Sequence, residues 1–389
     1  MSNILFAPLN TNHVKIFHAI VPWLKRPYEF LCHDRISESN QYRTEELLQK
    51  LALPYRHLPG AVNRSQQDHL LLQIANFFRI RRELARAVER IRPAAIVLAI
   101  DNDPISQILL RESKRRGVPT VLIQEALIRP HEYVMRKTHL SDALYKFLHA
   151  FGILLKYTMY GSGGCDRVLV AGRIAAGILE RRGVPKSRIQ IVGYPKYDAL
   201  LKRIGCFPTP PDSRTYLYAA STQVVRNQAN VRFLERLRRA TANRGLTLLV
   251  KLHPRSPLEP SDLYRLLHIE PGPTFRVLKE GDDTRDILEH SYALVTVSST
   301  VVLDALIMDR ECIVANYLAG ESKMEYGQYD AVYSVDSEED LEEVIAESYR
   351  NKKPFENKKK LLEDELHLLD GNAGQRAAKA ILSILNEGV

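Results

Sequence analysis

The stretch ALVTVSSTVVLDALIMDRECIVA, Ala293 to Ala315, sets the terms for the fold. Ala293 to Val297 is a short apolar run of strand length. Ser298-Ser299-Thr300 interrupts it, Val301 to Met308 reads as a helix, and Cys312 to Ala315 is apolar again. A buried strand, a crossover helix and a second buried strand make the repeating unit of a parallel sheet. Continuous apolar runs suit strands covered on both faces.

The same alternation extends outward. The second half adds strands at Thr215 to Ala220, Leu246 to Leu252 and Phe275 to Leu278, with helices at Asn230 to Arg244 and Thr284 to His290. It ends in helices at Leu341 to Tyr349 and Ala373 to Leu385. In the first half, strands are expected at Asn3 to Ala7, Tyr28 to Cys32, Ala94 to Ile100, Thr120 to Gln124, Arg167 to Ala171 and Arg188 to Val192. Helices are expected at Val14 to Lys25, Gln67 to Arg92, Ile105 to Arg116 and Ile174 to Arg182. The Pro-rich segment IGCFPTPPDSR, Ile204 to Arg214, has no periodicity and reads as a linker. The expected class is α/β, with two doubly wound Rossmann-like domains facing a cleft. Residues 1–203 form the first domain, 204–214 the linker and 215–372 the second domain; 373–389 is a closing helix able to cross back.

At 389 residues, 45% hydrophobic and 26% charged, the chain has the composition of a globular protein with two or three domains. Cys32, Cys165, Cys206 and Cys312 lie far apart with no CxxC pair, which argues against a zinc site or a disulfide framework and fits a reducing compartment. The beginning, MSNILFAPLN, lacks the pattern of a signal peptide, and no apolar run reaches the ~20 residues of a membrane span. A net charge of +9 favours anionic partners. Without a nucleic-acid module, an anionic membrane face or an anionic acceptor is the expected use of that charge.

Ligands of doubly wound sheets bind past the carboxyl ends of the strands. Ser298, Ser299 and Thr300 stand there, as an N-cap or as an anion site built from hydroxyls and free N–H groups. His253-Pro254-Arg255 follows another strand, with Lys251 before it; proline ends the strand and holds His253 at its edge. Taken alone, His253 reads better as a structural loop histidine.

LVKLHP (Leu249 to Pro254), DDTRDIL (Asp282 to Leu288) and the stretch from Ala293 to Tyr317 occur in one order in one domain. VGYPKYD (Val192 to Asp198) lies upstream and DGNAGQRAAKAIL (Asp370 to Leu382) downstream. Together they resemble the GT-B-type transferases of bacterial surface polysaccharides: teichoic-acid glycerophosphate polymerases, polysialyltransferases, Kdo transferases and their capsule and lipopolysaccharide relatives. The resemblance implies a cytoplasmic, metal-independent glycosyltransferase or polyol-phosphate transferase, peripheral at the inner membrane face at most. Its donor is a nucleotide-activated sugar, CMP- or CDP-linked, and its acceptor a saccharide or lipid-linked glycan; no cofactor is implied beyond the nucleotide sugar. By the same resemblance His253, Ser298, Ser299 and Thr300 hold the donor phosphates. Lys251, Arg255, Ser221 and Thr222 are secondary candidates, and Tyr326, Tyr329 and Asp330 are a loop over the base or sugar.

The first domain is expected to supply the catalytic base. Asp101 follows a buried strand, with Asp103 as a helix cap beside it. Glu125 stands in Gln124-Glu125-Ala126, where the resembling proteins often carry Gln-His-Gly or Glu-Ala-Gly. His13 and His131 are candidates for meeting the acceptor. The basic, partly apolar stretch Arg129 to Gly164 suits a membrane surface or a helix packed on the domain. Two alternatives stand beside the transferase: a non-hydrolysing UDP-sugar 2-epimerase, which Gln124-Glu125-Ala126-Leu127 resembles, and a non-catalytic nucleotide- or glycan-binding scaffold.

Overall fold

The computed structural model describes the chain except residues 1–2, 33–43, 59–69, 129–158, 209–213, 221–227, 254–255, 257, 280–282, 298, 321–322, 324 and 387–389, and without the side chains of 70–76. Two compact units divide it: residues 1–198 with 365–389, and residues 199–364.

The first unit is built on a seven-stranded parallel sheet. Its strands are β1 (Ile4–Ala7), β2 (Tyr28–Cys32), β3 (Tyr55–His57), β4 (Ala95–Leu98), β5 (Thr120–Ile123), β6 (Arg167–Val170) and β7 (Ile189–Ile191), in the order β3-β2-β1-β4-β5-β6-β7. β1, β4 and β5 are buried along their whole length, which is why they read as unbroken apolar runs. On one face Leu5, Ile96 and Leu122 pack with Leu84 and Val88 of the helix Leu70–Ile91 and Leu109 of the helix Pro104–Arg116. On the other, Phe6 stacks on Phe30 at 5.2 Å and meets Phe17 at 5.0 Å.

The second unit repeats the plan with β8 (Thr215–Ala219), β9 (Thr247–Lys251), β10 (Phe275–Leu278), β11 (Ala293–Thr296), β12 (Glu311–Val314) and β13 (Tyr333–Ser334), all parallel, in the order β10-β9-β8-β11-β12-β13. Both sheets reverse their strand order beside the first strand, the arrangement that makes a doubly wound sheet.

Three differences from the sequence reading have local causes. The first helix runs Thr11–His18 rather than to Lys25, because Pro22 cannot continue it and opens a 3₁₀ turn, Val21–Trp23. β3 and β13 are three- and two-residue edge strands, too short to carry a period. The helices Thr44–Lys50, Pro260–Leu266 and Phe355–Leu366 show few apolar repeats in the sequence.

The helix Ala373–Ile384 belongs to the first unit. The Asp198 carboxylate accepts from the N–H groups of Ala373 at 3.0 Å and Gly374 at 2.7 Å, capping its N-terminus from across the chain. Gly374 is required there: a Cβ would lie 2.2 Å from the Ala19 carbonyl oxygen. Among the described residues no helix is long and apolar enough to cross a membrane.

Candidate functional site

In the first unit, the loops after β1 and β5 bring His13 and Glu125 together. Asn10 caps the helix Thr11–His18 by accepting from the His13 N–H at 3.0 Å. The cap turns the imidazole inward until it is 1% exposed. The Leu9 N–H donates to Nδ1 at 3.0 Å, so the ring proton sits on Nε2. Nε2 donates to Glu125 Oε2. The Asn10 amide nitrogen, 3.1 Å from Nε2, is itself a donor and leaves Glu125 as the acceptor. Glu125 keeps 21% of its side chain exposed, so one buried partner orients it while solvent still reaches it.

The segment carrying Glu125 is pinned on every side. Tyr194 O–H and, at 3.3 Å, Asn12 Nδ2 donate to its carbonyl. Gln124 accepts from the Ala171 N–H and donates to the Ala126 carbonyl, both at 2.8 Å. Tyr160 O–H donates to the Ile123 carbonyl at 3.0 Å, and burial foremost pushes that phenol well above its ordinary value. A carboxylate on so fixed a backbone is suited to accept a proton at a defined place.

Two sequence expectations change here. His13, expected at the acceptor, is buried and donates to Glu125. Asp101 is 0% exposed, and its oxygens accept from the N–H groups of Gly161 at 3.0 Å and Gly163 at 2.6 Å. It staples a loop instead of facing solvent as a base. Asp103 caps the helix Pro104–Arg116, accepting from the Ile105 N–H at 2.9 Å. Sequence reasoning passed over Asn10, Asn12 and Tyr194; Asn10 carried an N-cap signal, and Tyr194 lies inside the VGYPKYD segment.

In the second unit, β9 and β11 both pair with β8. The loops carrying His253 and Ser299 therefore leave the sheet two strand spacings apart, roughly 10 Å. His253 is half-buried, in a turn closed by the Ser256 N–H to its carbonyl at 2.7 Å. Ser299 Oγ accepts from the Val301 N–H at 3.3 Å and so does the capping, while Thr300, in the N-cap position, makes no side-chain cap bond. Lys251 is 7% exposed and donates to the carbonyl of Lys279, a tie between strand ends. Asp283 caps the helix Thr284–Glu289, and Arg285 Nε donates to Asp304 Oδ1 at 2.6 Å, locking that helix to Val301–Ile307. Tyr326 is buried, Tyr329 O–H donates to Asp364 at 2.8 Å and Asp330 pairs with Lys353, so that expected lid is engaged within its own unit. Ser298, Arg255, Ser221, Thr222 and His131 lie outside the described residues. Among the described residues no group of three or more His, Cys, Asp or Glu side chains is placed to hold a metal ion.

No family model and no curated protein matches the chain. Solved structures do. S. aureus MnaA in complex with UDP superposes with a TM-score of 0.65 at 13% identity, covering 99% of this chain and 97% of that one. The UDP-GlcNAc 2-epimerase of Neisseria meningitidis, bound to UDP-GlcNAc, gives 0.62 at 13%, covering 98% and 100%. CalG4, the calicheamicin glycosyltransferase, gives 0.63 at 14%, covering 99% and 98%. At such identities the likeness is one of fold: two Rossmann-like domains in one chain, the GT-B plan shared by epimerases and glycosyltransferases.

Proposed function

We propose that the chain is a glycosyltransferase or polyol-phosphate transferase that moves a unit from a nucleotide-activated donor to a saccharide acceptor. The observation carrying this reading is Glu125, a part-exposed carboxylate oriented by a buried histidine at the carboxyl end of a parallel sheet. In the proposed step Glu125 takes the proton of an acceptor hydroxyl as its oxygen bonds to the transferred carbon or phosphorus. The bond to the nucleotide phosphate breaks and its electron pair leaves with the nucleotide. In the second unit the loops of His253 and of Ser299 and Thr300 receive the donor phosphates, the hydroxyls and the helix start offsetting the leaving charge. The His-Pro resemblance favours a cytidine donor, whereas S. aureus MnaA and the Neisseria meningitidis epimerase were solved with uridine nucleotides.

The test is nucleotide release from CMP-, CDP- and UDP-linked donors with and without a saccharide acceptor. Acceptor-dependent release supports the proposal. The epimerase reading rests on the fold neighbours and on Gln124-Glu125-Ala126-Leu127. Conversion of UDP-GlcNAc to its C2 epimer with no acceptor would establish it and remove the transferase. Nucleotide binding abolished by His253→Ala, with no turnover of any donor, would favour a scaffold.

A further inference from the structure

Where the strand order of the first sheet reverses, the loops after β1, β4 and β5 leave side by side. Leu98, the last residue of β4, pairs with Ala7 at the end of β1 and with Leu122 near the end of β5. The segments Leu9 to His13, Ile100 to Asp103 and Gln124 to Ala126 therefore rise from one level. Residues Tyr160 to Gly163 tie the last two together. Tyr160 O–H donates to the Ile123 carbonyl at 3.0 Å, and the next residue, Gly161, donates its N–H to Asp101 at 3.0 Å. The Asp101 and Glu125 carboxylates both act on the buried Tyr160 phenol, which sets them around one ring.

Most polar side chains of these loops are engaged in holding one another. Asn10 caps its helix, His13 holds Glu125, and Asn12 donates to the Glu125 carbonyl. Asp101 accepts from Gly161 and Gly163, and Asp103 caps the helix Pro104–Arg116. Asn102 is different: its carbonyl oxygen is buried with no hydrogen-bond partner, although the residue is only half-buried. An orphaned buried carbonyl destabilises the fold, and the capping that would explain an asparagine here is done by Asp103. Part of Asn102 reaches solvent, so a turn about its Cβ–Cγ bond brings the amide to a ligand. An amide carries an acceptor and a donor side by side, and two adjacent hydroxyls satisfy both. A phosphate or carboxylate has no proton for the carbonyl, and an ammonium has no acceptor for the NH₂ group.

We propose that Asn102 determines acceptor specificity: its amide binds two adjacent hydroxyls of the saccharide whose attacking hydroxyl Glu125 deprotonates. The inference rests on the reading of Glu125 as the base of a transfer. The experiment measures binding of methyl glucoside, galactoside and mannoside, and of their monodeoxy forms, to the full chain and to Asn102→Ala by saturation-transfer NMR. One glycoside is expected to bind the parent, and Asn102→Ala to weaken it roughly two- to tenfold, the worth of one uncharged hydrogen bond. Removing either hydroxyl of one adjacent pair should weaken binding to the parent as much and make no further difference in Asn102→Ala, because the two losses remove the same contact. Asn102→Ala should melt no lower than the parent, since it deletes an orphaned oxygen. Binding of none of these glycosides, deoxy losses that add to the Asn102→Ala loss, or a lowered melting temperature overturns the proposal. Failure of the transfer reading shows differently: glycoside binding still depends on Asn102, but no nucleotide release depends on the glycoside.

Discussion

Glu125→Gln and His13→Leu separate catalysis from folding at one hydrogen bond. In Glu125→Gln the new amide oxygen still accepts from His13 Nε2, and the backbone bonds from Tyr194 and Asn12 are untouched. Stability is expected to stay within about 0.5 kcal/mol, while turnover falls about 10²- to 10⁴-fold, the usual contribution of a general base. His13→Leu fills nearly the same space but leaves the buried Leu9 N–H without its acceptor. An orphaned buried donor costs about 1–3 kcal/mol. Loss of the donor to Glu125 adds little, since solvent reaches that carboxylate. For a unit of this size the melting temperature should fall about 2–12 °C. Turnover falls as well, because the carboxylate loses its orientation. Thermal unfolding and nucleotide release, measured on both variants, read the two effects. A Glu125→Gln protein that keeps its activity, or a His13→Leu protein as stable as the parent, would refute the reasoning.

Other expectations follow from the same geometry. Lys358 is 0% exposed and pairs with Glu311 at 2.7 Å and Asp309 at 3.0 Å, so Lys358→Met should cost about 3–5 kcal/mol in denaturant unfolding, and adding Glu311→Leu should restore much of it. Gly374→Ala should unfold the closing helix or the whole first unit, seen as lost hydrogen-exchange protection, since its Cβ meets a backbone oxygen. Burial and then Arg376 pull the His367 imidazole below its ordinary 6.5; as pH falls below that value the unfolded chain protonates first and stability drops, a slope that His367→Asn should flatten in a pH series of melting curves. Burial raises the Glu112 carboxyl, but Arg116 and Arg115 outweigh it and hold it below 4.5, so its stabilisation is present above that pH and is lost as pH falls through the lower native value; Glu112→Gln should remove that acid step. A cognate nucleotide at a hundredfold excess over its dissociation constant should stabilise the chain by about 2.7 kcal/mol, and a panel of CMP, CDP, UDP and GDP tests this by thermal shift.

Strands buried on both faces were legible in the sequence, because burial demands apolar residues at every position; Ala95–Leu98 and Ala293–Thr296 stand out for that reason. Helix starts and stops were legible where local chemistry sets them, as at Asp103 and Gly117 around Pro104–Arg116. The short edge strands and the polar helices were not, since their place depends on what they pair with. At the candidate site, the sequence by itself determined that Glu125 and His13 follow strands. Only the tertiary structure decided that they hydrogen-bond across 112 positions, because β1 and β5 flank β4 in the sheet. It likewise buried Asp101, turned Lys251 onto a carbonyl and assigned the closing helix to the first unit through Asp198. Hydrogen-bond direction and burial are properties of neighbours brought together by strand order, and no local pattern of residues encodes them.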